Sequence, residues 1–112
     1  MSRYDDQRLA DIAAAITAIR GHLTRGTLAD GLIFDAVRVR LIEIGEAVKA
    51  IDVQLLATEP AIPWSQVAAM RDQLAHRYFD TSHAIVSETV SRDLSELEDA
   101  VDRLVLRLQE PD

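Results

Sequence analysis

The run Met70-Arg71-Asp72-Gln73-Leu74-Ala75-His76-Arg77-Tyr78-Phe79 places an arginine, a histidine and a tyrosine within residues 71–78. Each can handle a phosphodiester or a proton. A guanidinium forks onto phosphate oxygens and stays charged at any working pH. An imidazole takes and gives protons near neutrality. On an ideal helix, with about 100° per residue, Arg71 and Tyr78 fall within roughly 20° of each other. Asp72 and His76 are four apart and so neighbours, and the Asp72 carboxylate is expected to orient the imidazole. Arg71 and His76 differ by about 140° on the same construction, which is awkward for two groups gripping one phosphate. Either the helix unwinds near His76 or a second copy of the chain completes the site. The reading without chemistry is a solvated helix face that happens to carry a histidine.

No competing chemistry is legible elsewhere. The chain has no cysteine, which removes disulfides, thiolate metal sites and a cysteine nucleophile together. His22, expected in a loop after Gly21, and His83, expected in the first turn of a helix, lack a second ligand at helical metal spacing. No metal and no cofactor are therefore expected. Trp64 beside Pro63 reads as a packing or interface anchor.

The elements that must position the motif are helices. With 112 residues, 48% hydrophobic and 28% charged, and only 3 Pro and 4 Gly, the chain has the composition of one helical domain, 1–112. Leu9, Ile12, Ala13, Ile16, Ile19 and Leu23 mark a first helix, with Asp5 or Asp6 placed to cap it and Gly21 to Gly26 ending it. A second is expected from about Asp30 to Leu56 along Ile33, Val37, Leu41, Ile44, Val48, Ile51 and Leu55. Pro63 opens a third, which carries Val67, Met70 and Leu74 inward and frays near Phe79. A fourth, capped by Asp80 or Thr81, runs along Ile85, Val86, Thr89, Val90, Leu94, Leu97, Val101, Leu104 and Leu108. Short connections predict an all-α up-and-down bundle of four main helices, with room for a short extra one.

The net charge of −7 looks wrong for a nucleic-acid binder. It is unevenly spread, however. Residues 88–112 carry eight acids against Arg92, Arg103 and Arg107, a net of −5, which leaves −2 for residues 1–87. No apolar run reaches the roughly 18 residues that span a bilayer, and the N-terminus does not read as a signal peptide. A cytoplasmic protein is the expectation.

Arg-x-x-x-x-His-x-Tyr resembles the signature of HepT-type toxins in the HEPN superfamily. Ile62-Pro63-Trp64 leading into Ala69-Met70-Arg71-Asp72 is similar to the approach to their active helix, Ile44-Gly45-Glu46-Ala47 to a segment of their second helix, and Tyr78-Phe79-Asp80 to their exit from the motif. The matches span roughly residues 37–98 at the right intervals. The position after the motif arginine is often asparagine in that family; here it is Asp72. The resemblance implies a HEPN-like bundle and a metal-independent endoribonuclease, with His76 as general base or acid and Arg71 on the phosphate. It also implies a homodimer whose paired motifs face each other across a two-fold axis, and a type VII-like toxin–antitoxin pairing. In that pairing an MntA-type minimal nucleotidyltransferase transfers AMP to the motif tyrosine, here Tyr78. The alternative, favoured by the acidity and by Asp72, is a HEPN-like module that binds nucleotides or its partner without cleaving RNA.

Overall fold

The computed structural model describes residues 4–76 and 79–110. Its elements are α1 (Asp5–Leu23), α2 (Gly31–Ala50), the single turn α3 (Val53–Leu56), α4 (Trp64–Ala75), α5 (Phe79–Glu88), a π turn (Thr89–Asp93) and α6 (Leu94–Gln109). No strand occurs among the described residues, so the fold is all-α, and four long helices account for most of it. None of the described helices is long and apolar enough to cross a membrane.

α2 lies at the centre, packed on α1 along one side and on α4 along the other, and α6 closes the bundle against α1. The stripes meet as a shared core: Leu9, Ile12, Ile16 and Ile19 from α1, Val37, Leu41 and Ile44 from α2, and Leu94, Val101 and Leu104 from α6 are all but fully buried. Each such side chain contributes about 1.5–3 kcal/mol by leaving water. α4 is different. It buries only Met70 and Leu74. Trp64, Val67 and Ala68 pack half-buried against the same core.

Four sequence expectations change in detail. α1 is opened by Asp5 rather than capped by it: the buried Asp5 carboxylate accepts the Asp52 N–H at 3.4 Å, tying the first helix to the end of the second. α1 also runs through Gly21 and His22 to Leu23, so His22 is helical. The long second helix breaks at Ile51, whose ψ of 144° is extended, because the Asp52 side chain accepts the Gln54 N–H at 2.9 Å and starts α3. α5 begins at Phe79, before Asp80 and Thr81, so neither of these is its cap.

The fourth stripe is one rod with a π turn in it. Its innermost positions Ser82, Val86, Thr89, Leu94, Leu97, Val101 and Leu104 step by three or four except between Thr89 and Leu94. That step of five is the π turn. Thr89 Oγ1 donates to the Ile85 carbonyl at 2.7 Å and approaches Met70 Sδ at 3.6 Å, so the irregular turn sits against α4.

A charged clamp fixes the start of α4. Glu59, 7% exposed, accepts from Arg103 Nε at 2.8 Å and pairs with both Arg103 and Arg107 of α6. Its carbonyl accepts Trp64 Nε1–H at 3.0 Å. The Arg103 hydrogen bond, followed by that from Arg107, holds the Glu59 carboxyl below its ordinary value of 4.5 against the opposing effect of burial. A depressed carboxyl stabilises the fold above its ordinary value and stops doing so as pH falls through its folded value. Glu59→Gln should therefore cost about 2 kcal/mol at neutral pH. That is less than the ~3–5 kcal/mol of a fully buried broken pair, because both arginines stay partly in water. Urea unfolding of parent and variant should show the gap closing as pH drops below about 4.5. A gap that ignores pH would mean that the ionised pair contributes nothing.

Candidate active site

Arg71 sits where α4 comes closest to α2. A Cβ built on Gly45 would meet the Arg71 Cβ and backbone N at 3.0 Å and the Val67 carbonyl at 3.1 Å, so any side chain here requires α4 to give by a few tenths of an ångström. One residue on, Glu46 Oε1 accepts Arg71 Nε–H at 3.1 Å, and Asp72 Oδ1 accepts from Arg71 Nη1 at 2.9 Å. These bonds, that to Asp72 first, hold the guanidinium more firmly protonated than usual. The same Arg71 bond, with help from the nearby charges of Lys49, Arg71 and His76, keeps the Asp72 carboxyl below its ordinary range. Arg71 is still 43% exposed, within reach of an incoming anion.

α4 ends at Ala75. His76 is extended, with φ −85° and ψ 115°, three residues short of the expected fraying point near Phe79. The ideal-helix projection therefore stops applying at His76, and of the two ways out of the Arg71–His76 mismatch, the unwinding of the helix is present in the single chain. The exposed His76 ring turns back so that Nδ1 lies 2.6 Å from the Asp72 carbonyl. A carbonyl only accepts, so Nδ1 carries the hydrogen. In the neutral ring, Nε2 then presents its lone pair outward. Asp72 thus meets His76 through its main chain, while its carboxylate is engaged by Arg71.

Asp72 links Arg71 and His76, its carboxylate accepting from Arg71 and its carbonyl from His76. Tyr78, the proposed AMP acceptor, lies outside the described residues, as does Arg77. His83 is elsewhere, stacked on Phe34 with ring centroids 5.1 Å apart. Two participants carried no role in the sequence reading. Glu46 lies 25 residues before Arg71, and Arg38, whose Nη1 donates to the Leu74 carbonyl at 2.9 Å, lies 36 residues before Leu74. Pairs so far apart leave no periodic signal. Only the Gly45-Glu46 dipeptide, a glycine inside a strong helical stripe, pointed to this part of α2.

Comparison with known proteins gives the family of the chain. A family model described as ribonuclease HepT-like matches residues 9–104. The chain belongs to the HepT-like ribonuclease family. A Thermococcus cleftensis protein named "Probable ribonuclease HepT" is 34% identical over 93% of this chain and 98% of its own length. "Putative RNase TTE0752" of Caldanaerobacter subterraneus subsp. tengcongensis is 38% identical over 60% of this chain, and the match spans only 61% of that relative. No solved structure matches this HepT-like chain significantly.

Proposed function

We propose that this chain is a single HEPN-like domain acting in the cytoplasm as the ribonuclease toxin of a toxin–antitoxin pair, and that it cleaves RNA without a metal ion. The observation that carries the reading is the exposed His76 ring, held through Nδ1–H on the carbonyl of Asp72, the residue whose carboxylate binds Arg71. RNA brings its own nucleophile. His76 Nε2 takes the proton from the 2′-OH, and the 2′-oxygen attacks phosphorus. Arg71 holds the nonbridging oxygens as charge builds there, and the 5′-oxygen leaves with a proton. The products are a 2′,3′-cyclic phosphate and a 5′-hydroxyl. One imidazole cannot act as base and acid in the same step, so His76 of a second copy supplies the leaving proton across a two-fold homodimer. A groove of about 430 Å³ between α4 and the α5–α6 rod, floored by Ile62, Val67, Met70, Ile85 and Leu97, gives a second copy an apolar face to cover.

The purified protein, incubated with RNA in excess chelator, should yield those two ends, and it should sediment as a dimer at tens of micromolar, on the order of ordinary dimer affinities. Cleavage only on adding a divalent ion, or a monomer that cleaves, would overturn the corresponding part. The binding-module reading retains one supporting observation: Glu46 and Asp72 already occupy Arg71 and compete with phosphate for it. Tight RNA binding without product would favour that reading.

The resemblance further supports control by a small nucleotidyltransferase. The Tyr78 phenol oxygen attacks the α-phosphorus of ATP, pyrophosphate leaves, and the AMP ester puts charge and bulk two residues from His76. Mass spectrometry of the protein co-expressed with such a partner should find AMP on the Tyr78 peptide, and Tyr78→Phe should escape neutralisation. An unmodified peptide in a neutralised complex would point to simple occlusion.

A further inference from the structure

From Trp64 to Glu88 there is no glycine, proline or asparagine, the residues that most often mark the end of a helix, yet α4 stops at Ala75. Helix-forming residues continue past Ala75, and propensity alone would carry the helix through His76. α2 reaches the end of the helix from outside. A helix leaves its last carbonyls without partners. Here the Asp72 carbonyl takes both the His76 N–H, at 3.2 Å, and His76 Nδ1–H. The Leu74 carbonyl, one of the last in α4, takes Arg38 Nη1 from α2 at 2.9 Å. Arg38 is half-buried, and a guanidinium at a helix C-terminus is favoured by both the macrodipole and the charge-assisted bond.

We propose that Arg38 is a positioning residue for His76: by anchoring the Leu74 carbonyl it holds the end of α4 in place and so sets the ring where Nδ1 reaches the Asp72 carbonyl and Nε2 faces outward. The cleavage part of this inference rests on the proposed ribonuclease reading; the positioning part does not. Arg38 acts through the backbone and need not touch RNA.

The test uses ¹⁵N-histidine-labelled full-length protein at about pH 8, where an ordinary imidazole is neutral, alongside cleavage kinetics. In the parent, His76 should be the Nδ1–H tautomer. Arg38→Ala should lose that bias and lower kcat by roughly 10–100-fold, with KM within about twofold, as expected for a displaced but intact catalytic group. Arg38→Lys, which keeps a donor for the Leu74 carbonyl, should recover the tautomer and most of the rate. It also keeps the test decisive if the alanine variant fails to fold. An Arg38→Ala protein with the parent's tautomer and kcat overturns the proposal. So does one with an unmoved tautomer and a raised KM, which would make Arg38 an RNA contact. A tautomer lost in Arg38→Ala and recovered in Arg38→Lys, in a protein that cleaves no RNA, upholds the positioning role and overturns the ribonuclease reading alone.

Discussion

His76→Ala will remove RNA cleavage and leave the fold in place. Its ring is exposed, and its contact is with a carbonyl that also keeps the backbone N–H of residue 76. The stability change should stay within about 0.5 kcal/mol, the usual range for surface positions. The rate loss should be about 10²–10⁴-fold, the contribution of one positioned proton-transfer group. Arg71→Ala should lose comparable activity for a different reason: it leaves Glu46 and Asp72 as unneutralised carboxylates facing the phosphate. Circular dichroism melts and a labelled-RNA assay on the same preparations separate the two effects. Parent-like cutting by His76→Ala would make the catalytic assignment wrong. An unfolded His76→Ala would instead identify a structural histidine.

Gly45→Val is expected to damage both fold and activity. Its Cβ would lie 3.0 Å from the Arg71 backbone N and 3.1 Å from the Val67 carbonyl, atoms that cannot swing aside as a side-chain tip can. Overpacking of this kind costs about 1–3 kcal/mol, which for a domain of this size lowers the melting temperature by roughly 5–15 °C. Relief requires α4 to move off α2, which carries Arg71 away from Glu46 and should lower cleavage as well. Gly45→Ala is the sharper control. Helix propensity alone would make it more stable by about 1 kcal/mol. A stabilised, fully active alanine variant would show that the close approach is unnecessary; a destabilised one would show that it is required.

The helices were legible because their apolar positions repeat at the helical period, and burial follows those stripes in α1, α2 and α6. The break at Ile51 was written locally in Asp52, but the apolar Leu55 and Leu56 continued the pattern across it and masked the stop. The π turn was also present in the sequence, as a five-residue step between Thr89 and Leu94, though Val90 filled the gap and made the stripe look continuous. The end of α4 was legible only as one of two ways out of the Arg71–His76 mismatch, and the fraying was read near Phe79. No glycine or proline within ten residues of His76 marks it, and the bond from Arg38 on α2 to the Leu74 carbonyl leaves no local signal. For the same reason the Asp72 carboxylate, placed by helical spacing beside His76, goes to Arg71, and the imidazole finds the main chain. Motif spacing identifies which residues share a neighbourhood. Which atom each one meets depends on tertiary partners that spacing does not encode.

The π turn also bears on how this rod tolerates changes in length. In helical phase, the segment from Phe79 to Gln109 is an α-helix holding one surplus residue, stored between Thr89 and Leu94. Losing that residue would turn the five-step into a four-step and bring the rod back to a single α-helical register, with Val86 and Leu97 still facing the core. A gain or loss anywhere else along the rod would rotate everything beyond it by about 100°. That would turn the α6 stripe and the Glu59 clamp away from their partners. The irregular turn is thus the one place in the last third of the molecule where chain length and core packing are uncoupled.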